Sequence, residues 1–97
     1  MPFCFEITEV IRARRPRPIV CLVGWLREGN MRTSDAITVP YTDGTSVSRA
    51  IIAIEAQHKW ANKVNAEEFE EEICIAISDV EITRVQIGGV ATGFRSS

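Results

Sequence analysis

The chain has 97 residues, of which 45% are hydrophobic and 25% are charged, and its formal net charge is −2. These values exclude a disordered chain and predict a single domain over residues 1–97, since domains commonly contain about 100–150 residues. No apolar run approaches the roughly 20 residues of a membrane span, and the N-terminus lacks a signal-peptide pattern. We therefore expect a cytoplasmic protein with no membrane partner. The small net charge also argues against DNA as a partner.

The first strand is predicted from alternation. Phe3, Phe5 and Ile7 occupy one face of a segment that runs to Val10, and a period of two is typical of a half-buried strand. Prolines at positions 16 and 18 then remove backbone donors, so residues 12–18 are predicted to form a loop. Its cationic side chains are Arg12, Arg14, Arg15 and Arg17.

Residues 19–27 predict a second strand that is apolar on both faces. One face carries Ile19, Cys21, Val23 and Trp25. The other carries Val20, Leu22 and Leu26, and we expect this second face to point outward. An outward apolar stripe favours a covering partner, because burying three such side chains contributes several kcal/mol at about 25 cal/mol per Å².

The rest of the chain predicts further short strands separated by turns. Glu28-Gly29-Asn30 is a turn, and Asp43-Gly44 joins strands over 36–41 and 45–56 in a hairpin of the type that uses positive φ. A bulge is expected near Ala50. Residues 57–65 are polar around Trp60, residues 66–72 form an acidic loop, and residues 73–77 alternate as a strand.

A final extended run leads through Gly88-Gly89, where a bend or close backbone approach is expected. About six strands at this spacing predict an all-β fold, a single small closed barrel over residues 3–92 with a frayed tail at 93–97.

Residues 19–39 contain two glycines five positions apart, then a basic residue, an acid and an alternating apolar strand, which here are Gly24, Gly29, Arg32, Asp35, Ile37 and Val39. This order resembles domain II of the translational GTPases, the elongation factor Tu type. The similarity covers residues 3–92 and implies the same barrel, with RNA or the ribosome among the expected partners. Ser34 stands where the family usually has glycine, and the G-x-x-x-x-G-K-[ST] loop that cradles nucleotide phosphates is absent. We expect a barrel standing alone, without a GTPase domain.

Two candidate RNA-contacting groups follow from the residues and from the resemblance. Arginine forks suit phosphate, so the four arginines of residues 12–17 are candidates, with a solvated loop as the alternative. The Ala53-Ile54-Glu55 segment resembles one whose glutamate, in elongation factor Tu, helps to form the pocket for the terminal adenosine of aminoacyl-tRNA. The resemblance therefore implies a nucleic-acid role for Glu55, and an ion pair with Lys59 is the alternative.

Catalytic, metal and cofactor sites are not expected. Cys4, Cys21 and Cys74 lie in apolar runs and form no C-x-x-C pair, so they are predicted to be reduced thiols. Zinc needs clustered nitrogen and sulfur ligands, and the only histidine is His58. Nothing near the serines resembles a nucleophile elbow.

Two functions remain open on the sequence. The first is a non-enzymatic binding module that docks to a protein, to a ribonucleoprotein or to a second copy of itself. Its predicted contact residues are Val20, Leu22, Leu26 and Trp60, because tryptophan is enriched at binding hot spots. The alternative is an RNA-binding protein that uses the arginine loop and Glu55.

Overall fold

The computed structural model describes residues 2–13, 19–57, 59–68 and 71–94. Nine strands and one short 3-10 turn, Ile82–Arg84, occur within these ranges. The strands are β1 (Phe3–Ala13), β2 (Ile19–Glu28), β3 (Asn30–Arg32), β4 (Ala36–Pro40), β5 (Ser46–Ala56), β6 (Lys59–Ala61), β7 (Lys63–Asn65), β8 (Ile73–Ser78) and β9 (Val90–Phe94).

Six strands close into an antiparallel barrel. The order is β4-β9-β1-β2-β8-β5, and a further pairing between β4 and β5 completes the ring. Strand β6 pairs with β5 outside the ring, and β3 and β7 form a separate two-stranded ribbon. The predicted all-β fold and closed barrel of about six strands are confirmed.

The β1 alternation places its aromatic residues inside the barrel, as the sequence predicts. Phe3, Phe5 and Ile7 are almost fully buried. They pack with apolar side chains from every other strand of the ring and from the β3–β7 ribbon. Asp35 is also buried, and its carboxylate accepts a hydrogen bond from the backbone N–H of Arg32 at 2.9 Å. One continuous core therefore fills the barrel.

The predicted orientation of β2 is wrong. Val20, Leu22 and Leu26 point inward and are 0%, 0% and 5% exposed. The period of two cannot choose between faces when both are apolar. The choice is decided by pairing: in the register with β1, Leu26 lies opposite Phe5, whose ring belongs to the core. These three residues are structural and form no outer contact surface.

Glycines allow two aromatic rings to lie close to the barrel wall. Gly24 lies on the inner face of β2, where an added Cβ would collide with the backbone carbonyl of Glu6 and approach the Phe5 ring at 3.0 Å. On β9, a Cβ added at Gly93 would likewise collide with the ring of Phe3. A strand glycine of this kind marks a close approach by another group.

The β4–β5 hairpin turns at Asp43 and Gly44, as predicted, but only Gly44 has a positive φ, of 89°. The backbone N–H of Thr45 and its hydroxyl both donate to the Asp43 carboxylate, and Arg84 Nη2 donates to it at 2.7 Å. These hydrogen bonds, with that of the Thr45 hydroxyl the largest cause, lower the pKa of Asp43 from 3.8 to about 2.

The lowered pKa of Asp43 predicts a pH-dependent contribution to stability. Because the folded state favours the ionised carboxylate, this contribution is present above the ordinary pKa and is lost as the pH falls toward 2. Chemical denaturation at pH 5, 4, 3 and 2 should therefore give a smaller loss of stability for Asp43→Asn than for the parent chain. Equal pH profiles for the two chains would contradict this assignment.

Several boundaries differ from the sequence-based expectation. The polar segment around Trp60 forms β6 and β7 instead of a loop, because β5 and β3 offer it unpaired edges. Strand β1 continues through Arg12 and Ala13, and β9 includes Gly93 and Phe94, two residues past the predicted end of the barrel. The irregularity in β5 lies between Ile51 and Ala53, close to the predicted bulge. Residues 14–18 and 95–97 lie outside the described ranges.

Within the described ranges, no helix has the length and apolar character that crossing a membrane would require.

Candidate functional site: an apolar face outside the barrel

The outward-pointing side chains of four adjacent strands form an apolar surface, which we call the β2 face. The strand register sets two rows across it. Ile11 of β1 lies opposite Cys21, which lies opposite Ala76 of β8 and then Ala53 of β5. In the next row, Val23 lies opposite Cys74. The β2 face consists of Ile11, Ile19, Cys21, Val23, Ala53, Cys74 and Ala76.

The β2 face is apolar because β2 is apolar in both alternations and its neighbours carry small side chains. Alanine and cysteine at its centre leave a shallow surface. The border is more prominent: Ile11 is 47% exposed, Ile52 is 52% exposed and Trp60 is 74% exposed. Ile52 is turned outward at the β5 irregularity, while Ile51 points into the core. Large exposed apolar side chains around a shallow centre are typical of a surface that another molecule covers.

Trp60 lies on β6 opposite Glu55, so it borders the β2 face and is not folded onto the core. Of the four residues predicted to contact a partner, Trp60 alone has an exposed side chain. Its contact with a partner stays a prediction.

Two thiols meet on the β2 face. Cys21 and Cys74 lie on neighbouring strands, close enough to interact, and all three cysteines are free. Burial is the main cause that raises the pKa of Cys74 to about 12; the neighbouring Cys21 and Glu55 raise it further. Cys74 therefore holds its proton at neutral pH and is a packing group rather than a nucleophile, since the thiolate is the reactive form.

The raised pKa of Cys74 predicts slow alkylation. Iodoacetamide should modify Cys74 more slowly at pH 8 than it modifies a cysteine in an unfolded control peptide, and the rate should still rise above pH 10. Peptide mapping by mass spectrometry at timed intervals measures this rate. A rate for Cys74 that reaches its plateau near pH 9 would contradict the burial of this thiol.

One end of the β2 face is acidic. Glu9 lies opposite Val23, Glu55 lies opposite Cys74, and the Glu72 carboxylate accepts a hydrogen bond from the Thr8 hydroxyl at 2.7 Å. A cleft of about 150 Å³ opens here, with Glu55, Glu71 and Glu72 in its lining. Among the described residues no ion pair involves these four glutamates, and the alternative Glu55–Lys59 pair does not form. Their negative charge is therefore unneutralised by the described part of the chain.

Two arginines lie near the opposite end of β2, but not on the β2 face. Arg12 lies opposite Val20 and Arg49 lies opposite Ile37, and both partners belong to the core, so these arginines follow the inner alternation of their strands. Arg12 is the penultimate residue of β1, where its Nε is 3.1 Å from the Asp79 carboxylate and its Nη2 donates to the carbonyl of Val80 at 3.0 Å, so that Asp79 offsets its charge. Arg49 also lies at this end, with Nε 3.4 Å from the carbonyl oxygen of Asp79. The connection from β1 to β2 starts and finishes here, and its sequence contains Arg14, Arg15 and Arg17, which lie outside the described residues.

A second polar cluster lies further along β2. Arg27 pairs with Glu6 at 2.6 Å and stacks over the Trp25 ring at 5.3 Å from its centroid. A cavity of about 430 Å³ lies beside it, lined by Pro2, Arg27, Glu28, Gly29, Ala66 and Glu67. The charges of Arg27 and Glu6 offset one another, so this cluster presents no strong field to a charged ligand.

Arg12 is the one member of the predicted arginine loop that lies within the described residues, and the structure separates it from Glu55, the other residue predicted to contact RNA. Arg12 pairs with Val20 at one end of β2, whereas Glu55 lies two strands away and beside the acidic cleft. The outward-pointing residues of the β2 face, such as Val23 and Cys74, were not among the contact residues that the sequence analysis predicted. One signal was present: Gly24 shares its alternation with Val20 and Leu22, and a strand glycine favours the closely packed face.

No model of a known protein family matches the chain, and no curated protein is found to be similar to it. Among the described residues, no three histidine, cysteine, aspartate or glutamate side chains lie close enough together to hold a metal ion.

Proposed function

We propose that this chain is a non-enzymatic binding module, a barrel of the translation-factor domain II type, that docks to a protein or ribonucleoprotein through the β2 face. The observation that carries the proposal is that β2 has apolar side chains on both faces, although only its inner face fills the core. Val23 and Cys21 point outward and are only half-buried. An outer strand face of a barrel in water is ordinarily polar.

The border of the β2 face supports the same function. Ile11, Ile52 and Trp60 together expose large apolar surfaces around the small central side chains. Tryptophan and isoleucine at such a border exclude water when a partner covers the centre, and a few such anchors dominate the binding energy of many interfaces. The resemblance to domain II suggests a partner from the translation machinery. This part of the proposal rests on the order of the motif residues within residues 19–39.

Photo-crosslinking inside the cells that produce the protein tests this proposal by comparing a probe on the β2 face with a probe elsewhere on the barrel. A photoreactive amino acid at position 23 should give a covalent adduct of higher mass, whereas the same probe at Thr92, exposed on β9 away from the β2 face, should give none. The adduct should survive ribonuclease treatment if the contact is made with protein. Equal labelling from positions 23 and 92, or labelling from neither position, would overturn the proposal.

RNA binding is the alternative outcome of the same experiment. An adduct at position 23 that disappears on ribonuclease treatment would identify RNA as the partner. The purified chain should then bind RNA with an affinity that falls steeply between 50 and 200 mM salt, as phosphate contacts require. Glu55 and the three glutamates near it, Glu9, Glu71 and Glu72, repel phosphate at that end of the surface, so we place this function second.

A further inference from the structure

We infer that Glu55 and Trp60, at the border of the β2 face, form a binding site for the guanidinium group of an arginine side chain that belongs to the protein partner. This inference rests on the proposed function, because it names the chemistry of the molecule that covers the β2 face. The chain contains two glutamate–tryptophan pairs on neighbouring strands, and one of them already binds an arginine of the same chain.

The first glutamate–tryptophan pair shows how the barrel binds an arginine. Glu6 of β1 lies directly opposite Trp25 of β2, and both side chains point to the outside of the barrel. Arg27, two residues after Trp25, stacks over the Trp25 ring at 5.3 Å from its centroid, and its Nε donates to the Glu6 carboxylate at 2.7 Å. One guanidinium group therefore contacts an aromatic ring and a carboxylate together, and both contacts suit its planar cationic fork.

The second pair has the same relation between its two strands. Glu55 of β5 lies directly opposite Trp60 of β6, and residues so placed have Cβ atoms about 4.5–5.5 Å apart on one face of the sheet. The position two residues after Trp60 is Asn62, which carries no charge. Among the described residues, no arginine or lysine pairs with Glu55 or stacks over Trp60. Trp60 is exposed and Glu55 is half-buried, so an arginine from another molecule can reach both.

The surroundings of Glu55 strengthen its attraction for a cation. Glu71 and Glu72 line the same cleft of about 150 Å³, and Glu72 accepts a hydrogen bond from the neutral hydroxyl of Thr8. Within the ranges that the structure describes, these carboxylates take part in no ion pair. A cleft lined by charges of one sign attracts the opposite charge more strongly than an isolated carboxylate does. The same charge repels phosphate, so the ligand is a cationic side chain and not RNA.

Arginine suits the Glu55–Trp60 pair better than lysine does. The guanidinium group is planar, so it can stack on the indole ring while its edge donates paired hydrogen bonds to a carboxylate. The lysine ammonium group is a compact and strongly hydrated charge without that fork. Lys59 of the same chain lies opposite Ala56, and the alternation of strand side chains directs it to the other face.

The arginine site continues into the β2 face. One cross-strand row runs over β6, β5, β8 and β2, and its residues are Trp60, Glu55, Cys74 and Val23. Since neighbouring strands lie about 4.8 Å apart, Val23 is roughly 10 Å from Glu55, or about three residues of an extended chain. A partner that places an arginine at Glu55 therefore places nearby residues over Cys74 and Val23, where apolar side chains are favoured. The expected partner segment contains an arginine with apolar neighbours.

Titration of the purified chain with N-acetyl-arginine amide, followed by NMR at the two indole N–H signals, tests the site. The Trp60 signal should shift, whereas the Trp25 signal should not, because Arg27 already contacts that ring. N-acetyl-lysine amide should bind at least about threefold more weakly. Glu55→Gln should weaken the binding of the arginine compound by at least about threefold, as expected for the loss of one accessible ion pair.

Arg27→Ala is the positive control that the chain itself offers. Loss of this side chain uncovers the Glu6–Trp25 pair, so the Trp25 signal of the variant should now shift with the arginine compound. Glu28→Gln, which removes a negative charge from the exposed end of β2, is the matched control and should leave the Trp60 response unchanged. Circular dichroism establishes that each variant is folded. A Trp60 signal that does not respond, or that responds equally to the lysine compound, would show that the arginine site is wrong.

Crosslinking from position 23 in the cell separates this inference from the proposed function. The adduct should form in the parent chain and in Glu28→Gln, and Glu55→Gln should reduce its yield by at least about threefold. Mass spectrometry should find an arginine within about three residues of the attachment point on the partner. An unchanged yield in Glu55→Gln, or a crosslinked segment without arginine, would overturn the arginine site and leave the binding-module function standing. No adduct from the parent chain would overturn both.

Discussion

Leu22→Lys is expected to unfold the barrel, whereas Val23→Lys, one residue along the same strand, is expected to leave it folded. Leu22 is 0% exposed inside the core, so a lysine there buries an unpaired ammonium group. We expect a loss of more than about 4 kcal/mol, which is a large fraction of the total stability of a small domain. Val23 points to the β2 face, and its replacement should cost about 1 kcal/mol or less.

Urea denaturation followed by circular dichroism measures both variants. The comparison is internally controlled, because the two substitutions introduce the same side chain into the same strand. Similar losses from both variants would mean that the two faces of β2 are equally enclosed. A larger loss from Val23→Lys than from Leu22→Lys would reverse the assignment of inner and outer faces, and with it the location of the β2 face.

Gly24→Ala is expected to destabilise the barrel by about 3 kcal/mol, near the upper end of the usual range for overpacking. The added methyl group would meet the backbone carbonyl of Glu6 on the paired strand and approach the Phe5 ring at 3.0 Å. Because the nearest obstacle is the backbone, adding Phe5→Leu should recover little of the loss. Urea denaturation of the single and double variants measures the effect.

Gly93→Ala is the companion control, because there the nearest obstacle is the Phe3 ring. In this case Phe3→Leu in the same chain should recover part of the lost stability, and a double-mutant cycle should show coupling between positions 3 and 93. Equal rescue at both sites would contradict the difference between a backbone and a side-chain obstacle. A Gly24→Ala chain as stable as the parent would contradict the close approach of β1 and β2.

The strands themselves were predictable because their determinants are local. The alternation of Phe3, Phe5 and Ile7 places β1 correctly, and the Asp43-Gly44 turn places the hairpin between β4 and β5. The polar strands β6 and β7 were missed because neither carries an apolar alternation. They form since Lys59–Ala61 and Lys63–Asn65 find unpaired strand edges at β5 and β3, which is a property of the assembled sheet.

The candidate site was only partly predictable. Trp60 was identified from its polar surroundings and is exposed beside the β2 face. Glu55 was identified through the resemblance, but its acidic neighbours Glu71 and Glu72 come from a segment distant in sequence and meet it only through the pairing of β5 with β8. The sequence analysis placed Val20, Leu22 and Leu26 on the outer side of β2, whereas these side chains lie in the core.

The amino-acid sequence by itself determined that this protein is all-β, that β2 is apolar on both faces, and that a basic segment and an acidic segment lie at separate positions along the chain. Each of these properties is readable from composition and period. Only the tertiary structure decided which face of β2 is inside, because that choice depends on the register with the neighbouring strand β1, which sets Leu26 opposite the buried Phe5. Tertiary structure also brought Glu9, Glu55 and Glu72 together at one end of the β2 face, since this follows from the antiparallel register of β1, β2, β8 and β5.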